Sequence, residues 1–170
     1  KKHIVFESED MGTYGEFVDI CDIQDCKNPY DPFALHKAAL ISCGVVPKDE
    51  NIPLEDVLNR LGGGIYLSTQ VLGIPKGSGL GTSSILSAAC VKALYEFLGE
   101  DIAREHLYET VLCMEQIMST GGGWQDQVGG LTNGIKLKSN QKGLEQKINV
   151  EYIEVSDKTK KELSDRFALI

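Results

Sequence analysis

What the sequence lacks narrows its function before any motif is read. It has no apolar run near the ~20 residues that a membrane-spanning helix needs. Its hydrophobic residues, 42% of 170, are spread along the chain as in a globular protein of one domain, or of one and part of another. Basic residues are in deficit, with 17 Lys and Arg against 25 Asp and Glu and a net charge of −8. An extended nucleic-acid surface rests on Lys and Arg neutralising phosphates, so no nucleic-acid partner is expected, although one small phosphate pocket is compatible with this balance. No basic segment followed by an apolar one opens the chain, so no secretory leader is read, and a cytoplasmic protein without membrane partners is expected. Cysteines are few and unpatterned: Cys21, Cys26, Cys43, Cys90 and Cys113 are odd in number and irregularly spaced. Cys21 and Cys26 lack a second Cys/His pair at zinc spacing, and two of the five lie in apolar helical patterns, so buried thiols in a reducing compartment account for them. His3, His36 and His106 are far apart and are assigned no role.

What is present reads as a mixed α and β chain. "HIVFESEDMGTYGEFVDI" alternates as two strands about a Met-Gly-Thr turn. "NPYDPFALHKAALISCG" carries helix signals, with Asp31 as N-cap, Pro32 at the first helical position and Gly44 beyond the end. "PLEDVLNRLGGG" is a short helix closed by glycines, and "GIYLSTQVLG" a strand. Only Ser84, Ser87, Lys92 and Glu96 interrupt the apolar sequence from Ser84 to Leu98, which predicts a helix buried on most sides and ended by Gly99. Asp101 is read as the cap of a helix over 101–118, on which Leu107, Val111, Met114 and Met118 recur at helical spacing. "GLTNGIKLKS" and "KINVEYIEVS" read as paired strands, "KTKKELSDR" as a polar helix start or loop, and "FALI" as the beginning of a further strand.

The densest chemical signal is "PKGSGLGTSSILSAA" at 75–89. A strand, a glycine-rich turn and a helix N-terminus form a general anion site, because unpaired backbone N–H groups converge there and glycine admits close approach. The Walker pattern fails, since Gly81-Thr82-Ser83 has no lysine in its slot. A dinucleotide fingerprint would want a glycine at Thr82 and an acid at the end of a second strand, and Glu100 lies instead at a junction between helices. A turn that merely permits tight helix packing is the plain alternative. In "MEQIMSTGGGWQDQVGG" two carboxylates stand out, Asp126 and, eleven residues upstream, Glu115. On a helix over 101–118, Glu115 falls beside Leu107, Val111 and Met118 and so leans inward, where an acid needs a partner; an ion held with loop hydroxyls would be one. A packed stem with its head in water is the alternative for Glu115, a helix cap or turn for Asp126, and a core position for Trp124.

Together these two segments resemble the GHMP kinases, whose second signature is a Pro-x-Gly-x-Gly-Leu-Gly-Ser-Ser loop over nucleotide phosphates. "GSGLGTSSIL" with "EQIMSTGGGWQDQVGGLTNGIK" is similar to the L-fucokinase branch in particular. The resemblance is sharp over residues 75–138. It implies an α+β fold like ribosomal S5 domain 2, with a GHMP kinase N-terminal, ATP-binding domain over 1–138 and the start of a C-terminal α/β domain over 139–170. It implies a phosphate-wrapping loop at Gly77, Ser78, Gly79, Leu80, Gly81, Thr82 and Ser83, magnesium ligation by Ser83 and Glu115, and Asp126 facing the acceptor hydroxyl as base or orienting group. The implied activity is ATP- and Mg2+-dependent phosphorylation of a small-molecule sugar, L-fucose at its anomeric hydroxyl. The implied alternatives are a kinase for another sugar such as a heptose phosphate, or a catalytically silent nucleotide- or sugar-binding relative. The family's first and third signatures do not occur in this sequence, so the chain is expected to be a middle piece of a longer enzyme, inactive alone. Neither the oligomeric state nor an attached nucleotidyltransferase domain can be read from the sequence.

Overall fold

The computed structural model describes residues 2–74, 78–121, 123–142 and 148–168. Strand β1 (Ile4–Ser8) pairs antiparallel with β2 (Thr13–Phe17) and parallel with β3 (Ile65–Thr69), giving the sheet order β2-β1-β3. The β1–β2 connection is a short 3-10 turn, Glu9–Met11, ended by Gly12 in the left-handed region. The parallel pair is joined by a helical crossover: α1 (Ile20–Gln24), α2 (Ala34–Ser42) and α3 (Leu54–Leu61). Next come α4 (Thr82–Phe97), α5 (Arg104–Ile117), α6 (Trp124–Leu131), the antiparallel strands β4 (Lys136–Asn140) and β5 (Ile148–Tyr152), and α7 (Asp157–Arg166). No helix among the described residues is long and apolar enough to cross a membrane.

The sheet buries one face. Ile4, Phe6, Ile65 and Leu67 point to the helices and are buried, while on the other side Tyr14 and Tyr66 are exposed and Val5 of the central strand is covered, the two sets alternating with the two-residue period of a strand. Phe6 anchors the packing, with the rings of Phe17, Phe33 and His36 centred 5.1, 5.9 and 5.3 Å away. Ala38, Ala39 and Leu40 of α2, Val91 of α4 and Val111 and Met114 of α5 continue the same core.

Several expectations need correction. α2 starts at Ala34, two residues after the expected first position at Pro32. Asp31 instead turns the chain before the helix: its carboxylate accepts from the Phe33 N–H at 2.8 Å and from Lys37 Nζ at 2.6 Å, a pair nearly shielded from water. α4 is buried along one face only, through Ser84, Ser87, Ala88, Val91 and Leu94, and Ala89, Ala93 and Phe97 are exposed. Alanines cost little in water, so an alanine-rich run overstates burial. α5 starts at Arg104, with Ala103 and not Asp101 at its cap position. Of the cysteines, all free, Cys26 and Cys90 are buried and Cys43 half-buried, but Cys21 and Cys113 are exposed. Burial pushes the Cys43 and Cys90 thiols up to about 12 and the Cys26 thiol to about 11. "KTKKELSDR" is helical, as α7. Phe167 and Ala168 form no strand, and the rest of "FALI" lies outside the described residues.

His36 gives the fold a pH dependence. Its ring is 2% exposed, packs on Phe6 and Phe33 and meets the Thr69 hydroxyl at 3.0 Å. Burial holds its pKa below the ordinary histidine value. The unfolded chain therefore takes up a proton near pH 6.5 that the folded chain still refuses, and stability falls as pH drops below that point. Chemical denaturation between pH 7 and 5.5 is expected to show an unfolding free energy declining by up to about 1.4 kcal/mol per pH unit. His36→Gln is expected to flatten that slope.

Candidate functional site

The glycine-rich loop ends where α4 begins. Gly79 and Gly81 both have positive φ, +69° and +67°, a conformation that glycine adopts without the penalty other residues meet. Gly81 occupies the cap position of α4 and has no side chain with which to cap it. The first-turn N–H groups of any α-helix lack intrahelical partners, and with the helix dipole they favour negative charge. Those of α4 belong to Thr82, Ser83 and Ser84.

Two acidic side chains reach this helix start. Asp126, in the first turn of α6, lies against Gly81: a β-carbon built on that glycine would be 3.5 Å from the Asp126 Cβ and 3.6 Å from its Cγ. Glu115, near the end of α5, is 6% exposed, and its Oε1 accepts a hydrogen bond of 2.7 Å from the hydroxyl of Ser84, itself 2% exposed. The end of α5 is fixed by Thr120, whose backbone N–H and hydroxyl donate to the Glu115 carbonyl at 3.1 and 3.0 Å.

α6 is held from both sides. A β-carbon on Gly130 would stand 2.5 Å from Ile85 Cγ1, so the helix approaches α4 as closely as a glycine permits. From β4, Lys138 Nζ donates to the Gln125 carbonyl at 2.6 Å, and Lys136 Nζ donates to the carbonyls of Gly129, at 3.1 Å, and Thr132. Partial burial, with Lys138 as a smaller cause, lowers the Lys136 pKa. A cation at this end also complements the negative end of the helix dipole.

The result is a hollow of about 340 Å³ lined by Ser78, Gly79, Leu80, Gly81, Thr82, Ser83, Ser84, Glu115, Thr120 and Asp126. Every loop residue singled out in the sequence reaches it except Gly77, which lies outside the described residues. Ser83 and Glu115, expected to share an ion, line the same hollow; the Glu115 carboxylate is hydrogen-bonded to Ser84, and Ser83 is exposed. Ser84 had a signal in the sequence, since its helical phase matches that of buried Ala88 and Val91, and a hydroxyl on a buried face needs a partner. A larger hollow of about 760 Å³ is lined by Arg104, Tyr108, Trp124, Gln127, Val150 and Tyr152 among others. Trp124 is half-buried there. Gln127 is fully buried, and neither polar atom of its amide has a partner among the described residues.

The smaller hollow is chemically suited to a polyphosphate and its ion. The Ser78 hydroxyl is buried with no partner among the described residues, which is a cost unless something else accepts or donates to it. The donors and acceptors are all hard oxygens and backbone N–H groups. No cluster of three or more His, Cys, Asp or Glu among the described residues could cage a metal. Magnesium does not require one, because it binds through one or two carboxylates together with water and substrate phosphates.

Comparison with known proteins agrees with this geometry. Residues 53–134, which contain α3 to α6 and the hollow, match the family described as GHMP kinases N terminal domain. The chain belongs to the GHMP kinase family. It is 40% identical over 147 residues to the L-fucokinase/L-fucose-1-P guanylyltransferase of Bacteroides fragilis, covering 85% of this chain and 15% of that protein. It is 39% identical over 159 residues to the bifunctional fucokinase/GDP-fucose pyrophosphorylase of Arabidopsis thaliana, covering 92% and 14%. The chain thus spans about one seventh of the length of these relatives. The fold is shared with the mevalonate kinase of Methanococcus jannaschii, at a TM-score of 0.57 and 12% identity over 91% of this chain and 43% of that one. A second mevalonate kinase structure has a TM-score of 0.54 and 13% identity over 76% and 38%. The α+β class expected from the sequence is the one found.

The contact between α4 and α6 is testable through Gly130. Gly130→Ala is expected to destabilise the fold by about 1–3 kcal/mol, the usual cost of overpacking. In combination with Ile85→Ala the cost is expected to be less than the sum of the two single changes, as read from a double-mutant cycle of urea unfolding curves.

Proposed function

We propose that this chain supplies the nucleotide-binding and phosphoryl-transfer part of an ATP- and magnesium-dependent sugar kinase, acting on L-fucose at its anomeric hydroxyl. The observation that carries the reading is the meeting of the α4 start, Glu115 and Asp126 around one hollow. The fucokinase names of the two relatives support the choice of sugar. The division into an N-terminal, ATP-binding domain over 1–138 and the start of a C-terminal domain over 139–170 is part of the same proposal.

In this reading the loop from Ser78 to Ser83, with the preceding Gly77, wraps the phosphates. Its backbone N–H groups and the α4 dipole offset their charge. Glu115 and Ser83 would hold a magnesium ion, whose charge would offset that of the phosphates. Asp126 takes or orients the proton of the sugar hydroxyl. That oxygen forms a bond to the γ-phosphorus as the bond from phosphorus to the β,γ-bridging oxygen breaks, and ADP leaves with the electron pair. Phosphoryl transfer passes through a loose transition state, so positioning and charge neutralisation supply most of the catalysis and no covalent enzyme intermediate is needed.

Asp126→Asn in the full-length protein is expected to lower kcat by at least roughly 150-fold, about 3 kcal/mol of barrier, while nucleotide affinity changes little. Turnover assays and calorimetric nucleotide titration on the same preparation check this. Unchanged turnover would remove Asp126 from its role. Across a sugar panel, L-fucose is expected to give the highest kcat/KM. Preference for a heptose phosphate would move the enzyme elsewhere in the family, and absence of turnover on every sugar, with nucleotide still bound, would make it a silent relative.

A further inference from the structure

We propose that Ser84 is a positioning residue for Glu115: its hydroxyl fixes the carboxylate so that the oxygen not engaged by Ser84 is presented to the ion. The proposal rests on the reading of Glu115 as an ion-holding group. Ser84 lies on the inner side of the first turn of α4 and Glu115 near the end of α5, and both are more than nine-tenths buried. Their 2.7 Å contact joins Ser84 Oγ to Oε1 of Glu115. A serine hydroxyl has one proton, and an ionised carboxylate can only accept. The direction of the bond is therefore fixed, with Ser84 as donor and Oε1 occupied.

The neighbouring hydroxyl cannot replace it. Ser83 is one residue earlier, about 100° around the helix, exposed and directed to the mouth of the same hollow. The two serines thus divide the work: Ser83 can meet an ion directly, and Ser84 holds the acid that meets it. Groups that orient metal ligands in this way typically affect metal affinity 10–100-fold when removed. Thr120 restrains the Glu115 main chain by donating to its carbonyl. Among the described residues, the hydrogen bond to the carboxylate itself comes from Ser84.

The test is Mn2+ binding to the full-length protein with a non-hydrolysable ATP analogue, read from the electron paramagnetic resonance signal of free Mn2+, so that no turnover is required. Ser84→Ala is expected to weaken Mn2+ binding about tenfold or more, with analogue affinity in the absence of divalent ions unchanged. Ser84→Thr, which keeps the donor, is expected to restore most of the loss. Should Ser84→Ala fail to fold, as judged by its thermal unfolding, Ser84→Cys keeps the size with a much weaker donor and is expected to show a loss of the same kind. Wild-type Mn2+ affinity in a folded Ser84→Ala or Ser84→Cys protein overturns the proposal, as does equal loss in Ser84→Ala and Ser84→Thr. Glu115→Gln separates the two levels of inference. If that change abolishes ion binding while Ser84→Ala does not disturb it, only the positioning role fails; if it leaves ion binding intact, the assignment of Glu115 fails and takes the role of Ser84 with it.

Discussion

The site depends on how closely α6 can approach the start of α4. Gly130 sets that distance, since a β-carbon there would stand 2.5 Å from Ile85 Cγ1, while Gly81, at φ +67°, lies in ordinary contact with the Asp126 carboxyl. A side chain at Gly130 would occupy the space that α4 needs. Because the contact is steric, it is short-ranged and unforgiving, and a shift of one methyl group is felt throughout a close-packed interior. It also explains why an eight-residue helix, too short to be stable alone, keeps a fixed place: α4 confines one side, and the lysines of β4 engage its carbonyls on the other.

The electrostatic arrangement follows from this packing. An acidic chain has few cations to spend on phosphate, and among the described residues none lines its hollow. Favourable potential comes from oriented backbone dipoles, with the first turns of both α4 and α6 opening near the same point. The acids are placed in different surroundings: Glu115 is enclosed and hydrogen-bonded, Asp126 exposed at the mouth. The enclosed acid is suited to a fixed structural charge and the exposed one to contact with an exchanging substrate.

Much of this was legible in the sequence because the relevant periodicities are strong. Alternation gave β1 and β2, and helical phase turned Glu115 inward. The loop residues could be named from their order alone. What failed did so for identifiable reasons. Asp31 and Asp101 looked like caps because aspartate commonly serves as one, but the first is engaged by Lys37 and the Phe33 N–H before its helix begins, and the second lies three residues ahead of its helix. The alanines of α4 mark either a core or a solvent face. The helical phase of Ser84 marked it as buried, but that its hydroxyl meets Glu115 depends on how α4 packs on α5, a relation between residues 31 positions apart. The expected role of each residue in the hollow follows from family resemblance, whereas their meeting in space is a property of the fold.

The sheet and the site also differ in how far apart along the chain their partners lie. β1 finds β3 across the whole of α1 to α3, Ile4 opposite Ile65, whereas α4, α5 and α6 follow one another directly and pack together within residues 82–131. Closing the long connection carries the larger entropic cost. The helical unit that carries the hollow can therefore collapse early and on its own neighbours, and the parallel strand pairing is the slower event. During synthesis or refolding, the edge of β1 that receives β3 waits for a partner about sixty residues away, and an unpaired strand edge is a template for misassociation.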